Sequence, residues 1–211
     1  MRSHMMMRME QVGDMAENCY IFCNKDTKKC IIFDPGAEGN LIRSRIDADG
    51  MTPEAILLTH GHFDHIGAVA TLKGFYPNIK VYAGYEEREC LSDIDINLSG
   101  SFSRPCTVLA DEYFNDQQRF EMIGAHFKCI FTPGHTKGSV CFYAIEDEFV
   151  ISGDTLFAGS VGRTDFPGGD SKEILRSIRE RLDPLPDYVK VFPGHGPTTT
   201  MEIERAENPF M

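Results

Sequence analysis

Short apolar runs rich in β-branched residues alternate along this chain with polar turns and a few stretches of helical periodicity. Cys19–Cys23 and Cys30–Phe33 predict a hairpin around the polar turn Asn24–Lys29, ended sharply by Asp34-Pro35-Gly36. Leu41, Ile42 and Ile46 make one apolar stripe and predict a helix over residues 38–48. Ala55–Leu58 reads as a short buried strand, Ile66–Phe75 as a helix and Ile79–Tyr82 as a strand. Residues 83–115 carry the weakest pattern, with one short helix near 85–91 and then polar loops. The second half returns to strands at Arg119–Ile123, Phe127–Thr132, Ser139–Ala144 and Glu148–Ser152. Ile174, Leu175, Ile178 and Leu182 place a helix at Ser171–Arg181. Tyr188–Phe192 reads as a last strand and Thr199–Glu207 as a last helix. Strands with interspersed helices in both halves predict a layered α/β protein; periodicity goes no further.

The 211 residues suffice for one substantial core. Residues 5–211 read as a single domain. Ser3-His4 ahead of Met5 resembles a cloning remnant, so residues 1–4 are set aside from functional reasoning. Lys and Arg number 21 against 32 Asp and Glu, a formal net charge of −11. Affinity for phosphate backbones needs a basic patch, so no nucleic-acid partner is expected. No run approaches the roughly 18–20 apolar residues of a membrane span, and no export signal is visible. The expectation is a cytoplasmic protein with no membrane partner. The cysteines, Cys19, Cys23, Cys30, Cys90, Cys106, Cys129 and Cys141, are scattered with no C-x-x-C pair. They read as free thiols of a reducing compartment.

One stretch changes the picture. Thr59-His60-Gly61-His62-Phe63-Asp64-His65 crowds three imidazoles and a carboxylate just after the apolar Ile56-Leu57-Leu58. Three later stretches share one design, an apolar strand, a glycine turn and then a metal-binding residue. They are Ile130 to His135, Val150 to Asp154 and Val191 to His195. A strand end is rigid, and glycine lets the backbone turn closely beside an ion. His60, His62, His65, His135 and His195 all fall at such strand ends; only His4 and His126 do not. Any one of these histidines alone reads as an ordinary polar turn residue. Together with Asp64 and Asp154 they point to a metal cluster.

These motifs, "HGHFDH", "PGH", "SGD" and "PGH", resemble the ordered ligand set of the metallo-β-lactamase-fold hydrolases. "GRTDFPGGD", "FPGHGPTTT" and the closing "NPF" resemble its short, single-domain glyoxalase II-like (hydroxyacylglutathione hydrolase-like) subgroup, and the likeness runs from about residue 9 onward. The resemblance implies a four-layer α/β/β/α sandwich with the metals at one edge between the two sheets. It implies two divalent ions, zinc first and iron or manganese as alternatives. His60, His62 and His135 would hold one, Asp64, His65 and His195 the other, and Asp154 would bridge them. The implied activity is cleavage of a thioester such as S-lactoylglutathione by a metal-bridging hydroxide, with Asp64 also orienting that hydroxide. An aspartate at 154, where antibiotic-hydrolysing lactamases commonly carry cysteine, argues against a dedicated lactamase. Arg163 stands near the place of a lysine that binds the glutathione carboxylate in longer glyoxalase II enzymes; it reads either as a substrate contact or as a salt bridge to Asp165. Asp34 reads either as a buttress of the cluster or as a cap of its own turn. The alternative activity is that of a mononuclear iron persulfide dioxygenase of the same fold, which "GRTDF" also resembles.

Overall fold

A computed structural model describes residues 1–211. Strand β1 (Met5–Val12) pairs antiparallel with β2 (Glu17–Asn24), and β2 with β3 (Lys29–Phe33). The chain then turns parallel. Helix α1 (Gly39–Ala48) leads to β4 (Thr52–Leu57), and α2 (Phe63–Ile66) with α3 (Val69–Phe75) to β5 (Lys80–Gly84). A 3₁₀ turn at Tyr85–Glu87, α4 (Arg88–Ser92) and a long loop reach β6 (Glu112–Phe114). These six strands form one sheet in chain order.

The second sheet begins with β7 (Arg119–Met122), β8 (Ala125–Phe131), β9 (Val140–Ala144) and β10 (Phe149–Gly153), all antiparallel. A small ribbon, β11 (Leu156–Phe157) and β12 (Ser160–Val161), precedes α5 (Ser171–Ser177), which runs on into a π turn at Ile178–Leu182. Asp170 caps α5, accepting from the backbone N–H groups of Lys172 and Glu173. Strand β13 (Lys190–Pro193) lies parallel to β10, followed by β14 (Thr199–Thr200) and α6 (Met201–Glu207). The order is β14-β13-β10-β9-β8-β7.

Alternation along β2 explains how the layers meet. Cys19, Ile21 and Cys23 pack with Ile42, Ile46 and Leu72 of α1 and α3. Tyr20 and Phe22 point the other way, into a core shared with Phe127, Phe142 and Phe149 of the second sheet. Phe22 meets Phe149 edge to face at 4.9 Å. The far face of the second sheet packs Cys141, Val150 and Val191 against Ile174, Ile178 and Met201. The result is helix, sheet, sheet, helix, the four-layer α/β/β/α sandwich that the motifs imply. Strands covered on both faces read as unbroken apolar runs, which is why β2 and β3 were visible in the sequence.

Several elements differ from the expected ones: strands β6, β11 and β12 were not expected, and the helix expected from Thr199 begins at Met201, after β14. Strand β1 was not expected: it is an edge strand with mostly half-exposed or exposed side chains, and its apolar start, Met5-Met6-Met7, has no β-branched residue to mark a strand. The helix expected over Ile66–Phe75 is broken between α2 and α3, where Ala68 N–H bonds the Pro35 carbonyl at 2.9 Å. The helix expected over Ser171–Arg181 keeps α geometry only to Ser177. Arg2 pairs with the buried Asp147 at 2.7 Å, so residues ahead of β1 also pack on the fold. All the cysteines are free thiols. No helix is long and apolar enough to cross a membrane.

Candidate metal centre

Strands β8 and β10 both run antiparallel to β9, and β13 runs parallel to β10. Their C-terminal ends therefore meet at one edge, delivering His135, Asp154 and His195. The first sheet delivers residues 59–65 from the end of β4, tied across to the second sheet where Val140 N–H bonds the Thr59 carbonyl at 2.8 Å. Gly153 makes its turn in the left-handed region, at φ 48°. Gly194 serves by what it lacks: a Cβ there would overlap Asp154 Oδ1 and come within 2.7 Å of His65 Cε1.

Two triads result. His60, His62 and His135 converge, as do Asp64, His65 and His195, each with ligand atoms within 4.8 Å of one another. His62 Nδ1 faces His135 Nε2 at 2.9 Å, and Asp64 Oδ2 lies 3.2 Å from His195 Nε2. Asp154 stands between the triads. Its Oδ2 is 3.5 Å from His135 Nε2 and 3.7 Å from His195 Nε2, and its Oδ1 is 3.4 Å from His65 Nε2. All the residues that the sequence offered as metal ligands are thus in one place. Arg163 is beside them, and His126 is far from them, exposed and paired with Glu146.

The outward ring nitrogens are held by the protein. His135 Nδ1 donates to the Arg163 carbonyl at 2.8 Å, His195 Nδ1 to the Met15 carbonyl at 3.2 Å and His65 Nδ1 to Asp34 Oδ2 at 3.1 Å. Thr59 Oγ1 donates to Asp34 Oδ2 at 2.6 Å and so accepts from His60 Nδ1 at 3.1 Å. Each of these four rings therefore turns an Nε2 lone pair inward. His60 Nε2, His65 Nε2 and Asp154 Oδ1 are buried with no hydrogen-bond partner, and His62 meets the cluster through Nδ1. A buried polar atom left unpaired costs about 1–3 kcal/mol, and several aimed at one spot are the donor set of a cation. Imidazole and carboxylate oxygen suit zinc, iron or manganese. The residues fit such ions.

Charge is arranged to match. Burial, then the neighbouring imidazoles, push His60 well below its ordinary pKa and His62 down to about 3. His135 is lowered by burial too. Neutral rings of this kind offer lone pairs without first losing a proton. His65 is the reverse: burial works against its charge, but Asp154 and Asp64 outweigh it and raise its pKa well above the ordinary value. Burial likewise opposes ionisation of Asp154 and Asp64, and the imidazoles nearby overcome it, so both carboxylates lie below their usual range. The cluster favours positive charge at its second triad.

Of the supporting residues, Asp34 was read from the sequence as a buttress or a turn cap, and the others had no part in that reading. Asp34 is a buttress: besides Thr59 Oγ1 and His65 it accepts from Thr59 N–H at 2.7 Å, so its oxygens are taken although they lie within ligand distance of His60 and His65. Glu87, buried in the 3₁₀ turn, accepts from Gly61 N–H at 2.8 Å and Thr136 Oγ1 at 2.9 Å, joining the His60–His62 loop to the His135 loop. Asn18 reaches the carbonyls of Pro193 and Gly196 at 3.0 and 2.8 Å, and Tyr20 O–H that of Pro193 at 2.8 Å. Glu17 is wholly buried 3.9 Å from His65 Nδ1, with neither oxygen hydrogen-bonded. Over the ligands opens a cleft of about 360 Å³ walled mainly by Phe63, Phe102, Phe157 and Phe166. A second hollow of about 400 Å³ shares Met15, Phe63 and Asp64 with it.

Comparison with known proteins agrees with this geometry. Residues 12–195 match the Metallo-beta-lactamase superfamily. Hydroxyacylglutathione hydrolase GloC of Haemophilus influenzae is 35% identical over 92% of this chain and 92% of its own. Among solved structures, the BLEG-1 B3 metallo-beta-lactamase superposes with a TM-score of 0.92 at 39% identity, covering 97% of this chain and 99% of that one. TTHA1623 in a di-iron-bound form gives 0.86 at 35% identity, covering 97% and 100%. With the family's fold, and donors for metal ions gathered at the ends of its two sheets, the chain belongs to the metallo-β-lactamase superfamily.

Proposed function

We propose that this chain is a two-metal hydrolase of thioesters, S-lactoylglutathione being the reference substrate. The observation that carries the proposal is the pair of converging triads with Asp154 between them, and the buried, unpartnered His60 Nε2, His65 Nε2 and Asp154 Oδ1 among them. His60, His62 and His135 would hold one divalent ion, Asp64, His65 and His195 the other, and Asp154 both. Zinc is the first expectation, and the di-iron form of TTHA1623 makes iron the leading alternative. Ions so held supply hydroxide near neutral pH, because a bound water's pKa falls toward about 7, and a Lewis acid for an acyl carbonyl. Asp64, ionised and partly open to the cleft, is placed to accept a hydrogen bond from the attacking water. A thiolate leaves with little protonation help, which suits walls whose polar side chains, outside the ligands, are Ser160 and Arg163. The relative named hydroxyacylglutathione hydrolase supports the same reading.

A β-lactam is the second reading. The aspartate at 154 argued against it, yet the BLEG-1 protein, 39% identical, bears a lactamase name. The dioxygenase reading needs one ion on two histidines and one carboxylate, and the two triads with Asp154 offer more donors than that. Metal analysis of the purified protein, with a panel of thioesters, a β-lactam and a persulfide, tests all three. Two ions per chain with selective thioester cleavage are expected, and His62→Ala, Asp154→Ala or His195→Ala should remove metal and hydrolysis together from a folded protein. Full hydrolysis by metal-free protein would overturn the proposal.

A further inference from the structure

Resting on the thioesterase reading, we infer that the cleft selects thioesters with apolar arms and a thiol that carries no carboxylate, so that an uncharged thiol is preferred to glutathione. Aromatic rings flank the ligands on both sides. Phe166 stands edge-on to His62 with ring centres 6.0 Å apart, and Phe157 edge-on to His195 at 6.2 Å. Phe63 and Phe102 stack at 4.6 Å and 25°, a flat plate whose outer ring is 47% exposed. Leu98 and Met15 fill the wall beside them. Such a surface gains from apolar groups and from aromatic ones most.

The cations around the cleft are already engaged. Arg163 is the cationic side chain of the wall. Asp165 holds it by two hydrogen bonds, at 2.7 and 2.6 Å, and its guanidinium lies 3.7 Å over the Phe166 ring. In the adjoining hollow Arg104 is paired with Asp14 at 2.6 Å, and Glu38 adds another carboxylate. Glutathione brings two carboxylates against one ammonium, a net negative charge. Each carboxylate would meet a wall with no free cation, in a chain whose net charge of −11 repels anions at long range. In this reading Arg163 shapes the wall through Asp165 and Phe166 and does not anchor a substrate carboxylate.

The test uses thioethers, which bind but are not hydrolysed: S-phenacyl-N-acetylcysteamine and S-phenacylglutathione, titrated calorimetrically into metal-loaded and metal-free protein. The uncharged thioether is expected to bind at least about tenfold tighter in both forms, equivalent to about 1.4 kcal/mol. Asp165→Asn, which frees Arg163, should tighten the glutathione thioether and leave the other unchanged. Phe102→Ala should weaken the uncharged thioether. Equal or tighter binding of the glutathione compound by the unaltered protein overturns the inference, as does an Asp165→Asn variant that favours neither. The matching thioesters, with one acyl group on both thiols, separate the two claims. Turnover with a glutathione preference keeps the thioesterase and rejects the selectivity. Apolar binding with no thioester turned over keeps the selectivity and rejects the thioesterase.

Discussion

Glu87 joins two ligand loops, and its removal measures what that joint is worth. Glu87→Ala leaves Gly61 N–H and Thr136 O–H without acceptors in a site only 1% exposed. Each buried donor so orphaned costs about 1–3 kcal/mol, and the emptied volume adds to this. A loss of about 3–5 kcal/mol of folding stability is expected, discounted for relaxation of the loops. Glu87→Gln keeps an acceptor for Gly61, and the Thr136 hydroxyl can turn to accept from the new amide, so that variant should lose about 1 kcal/mol. Gly61 separates His60 from His62, and Thr136 follows His135. Loosening both lets the three ring nitrogens drift apart. Loss of an outer-shell partner typically lowers metal affinity about 10–100-fold, and here the loss should fall on one ion per chain while the ion at Asp64, His65 and His195 is retained. Urea unfolding of the metal-free variants gives the first quantity, and chelator competition with metal counting gives the second. If Glu87→Ala binds both ions as the unaltered protein does, with unchanged stability, the clamp does not exist.

Two other substitutions probe different parts of the support. Gly194→Ala drives a methyl into Asp154 Oδ1 and against His65, so metal affinity should fall at least about tenfold with little change in urea midpoint; a variant that retains both ions at equal affinity would refute the packing argument. Glu17 is displaced well above the ordinary carboxylate pKa by burial, with the nearby His65 pulling partly back. The unfolded chain ionises Glu17 near pH about 4.3, while the folded metal-free protein keeps the proton. Between those two pKa values the unfolded state holds fewer protons, and stability falls as pH rises, by at most about 1.4 kcal/mol per pH unit. Glu17→Gln should abolish this slope, matching the unaltered metal-free protein near pH 4 and exceeding it at pH 7. Unfolding curves that stay parallel from pH 4 to 8 would contradict it.

What was legible in the sequence, and what was not, follows from the range of the interactions. The candidate ligands could be read because each follows closely on an apolar strand: Leu58 before the His60 loop, Phe131 before His135, Ile151 before Asp154, Phe192 before His195. Residues 83–115 were opaque because tertiary contacts organise them. Glu87 finds Gly61 and Thr136, and Phe102 finds Phe63, in partners far along the chain. The tautomers were opaque as well, since the acceptors that fix His135 and His195 are backbone carbonyls of Arg163 and Met15, which any residue could supply.

A further signal lies at the start of β2. Glu17 and Asn18 stand at the head of the apolar run Cys19–Cys23, and both are 0% exposed. An acid and an amide taken out of water at the start of a core strand are costly unless something inside needs them. Asn18 is repaid by three contacts with the β13 loop, accepted by Pro193 and Gly196 and donated by its own N–H to Gly194 at 2.7 Å. Glu17 has no such return within the protein. Its unpaired oxygens lie beside His65, which with His195 carries a raised pKa in the cluster. In the metal-free protein that acid keeps its proton, and only a cation held at the second triad would favour its ionised form. Polar residues that interrupt the beginning of a buried strand are therefore as informative about a metal centre as the histidines that end one.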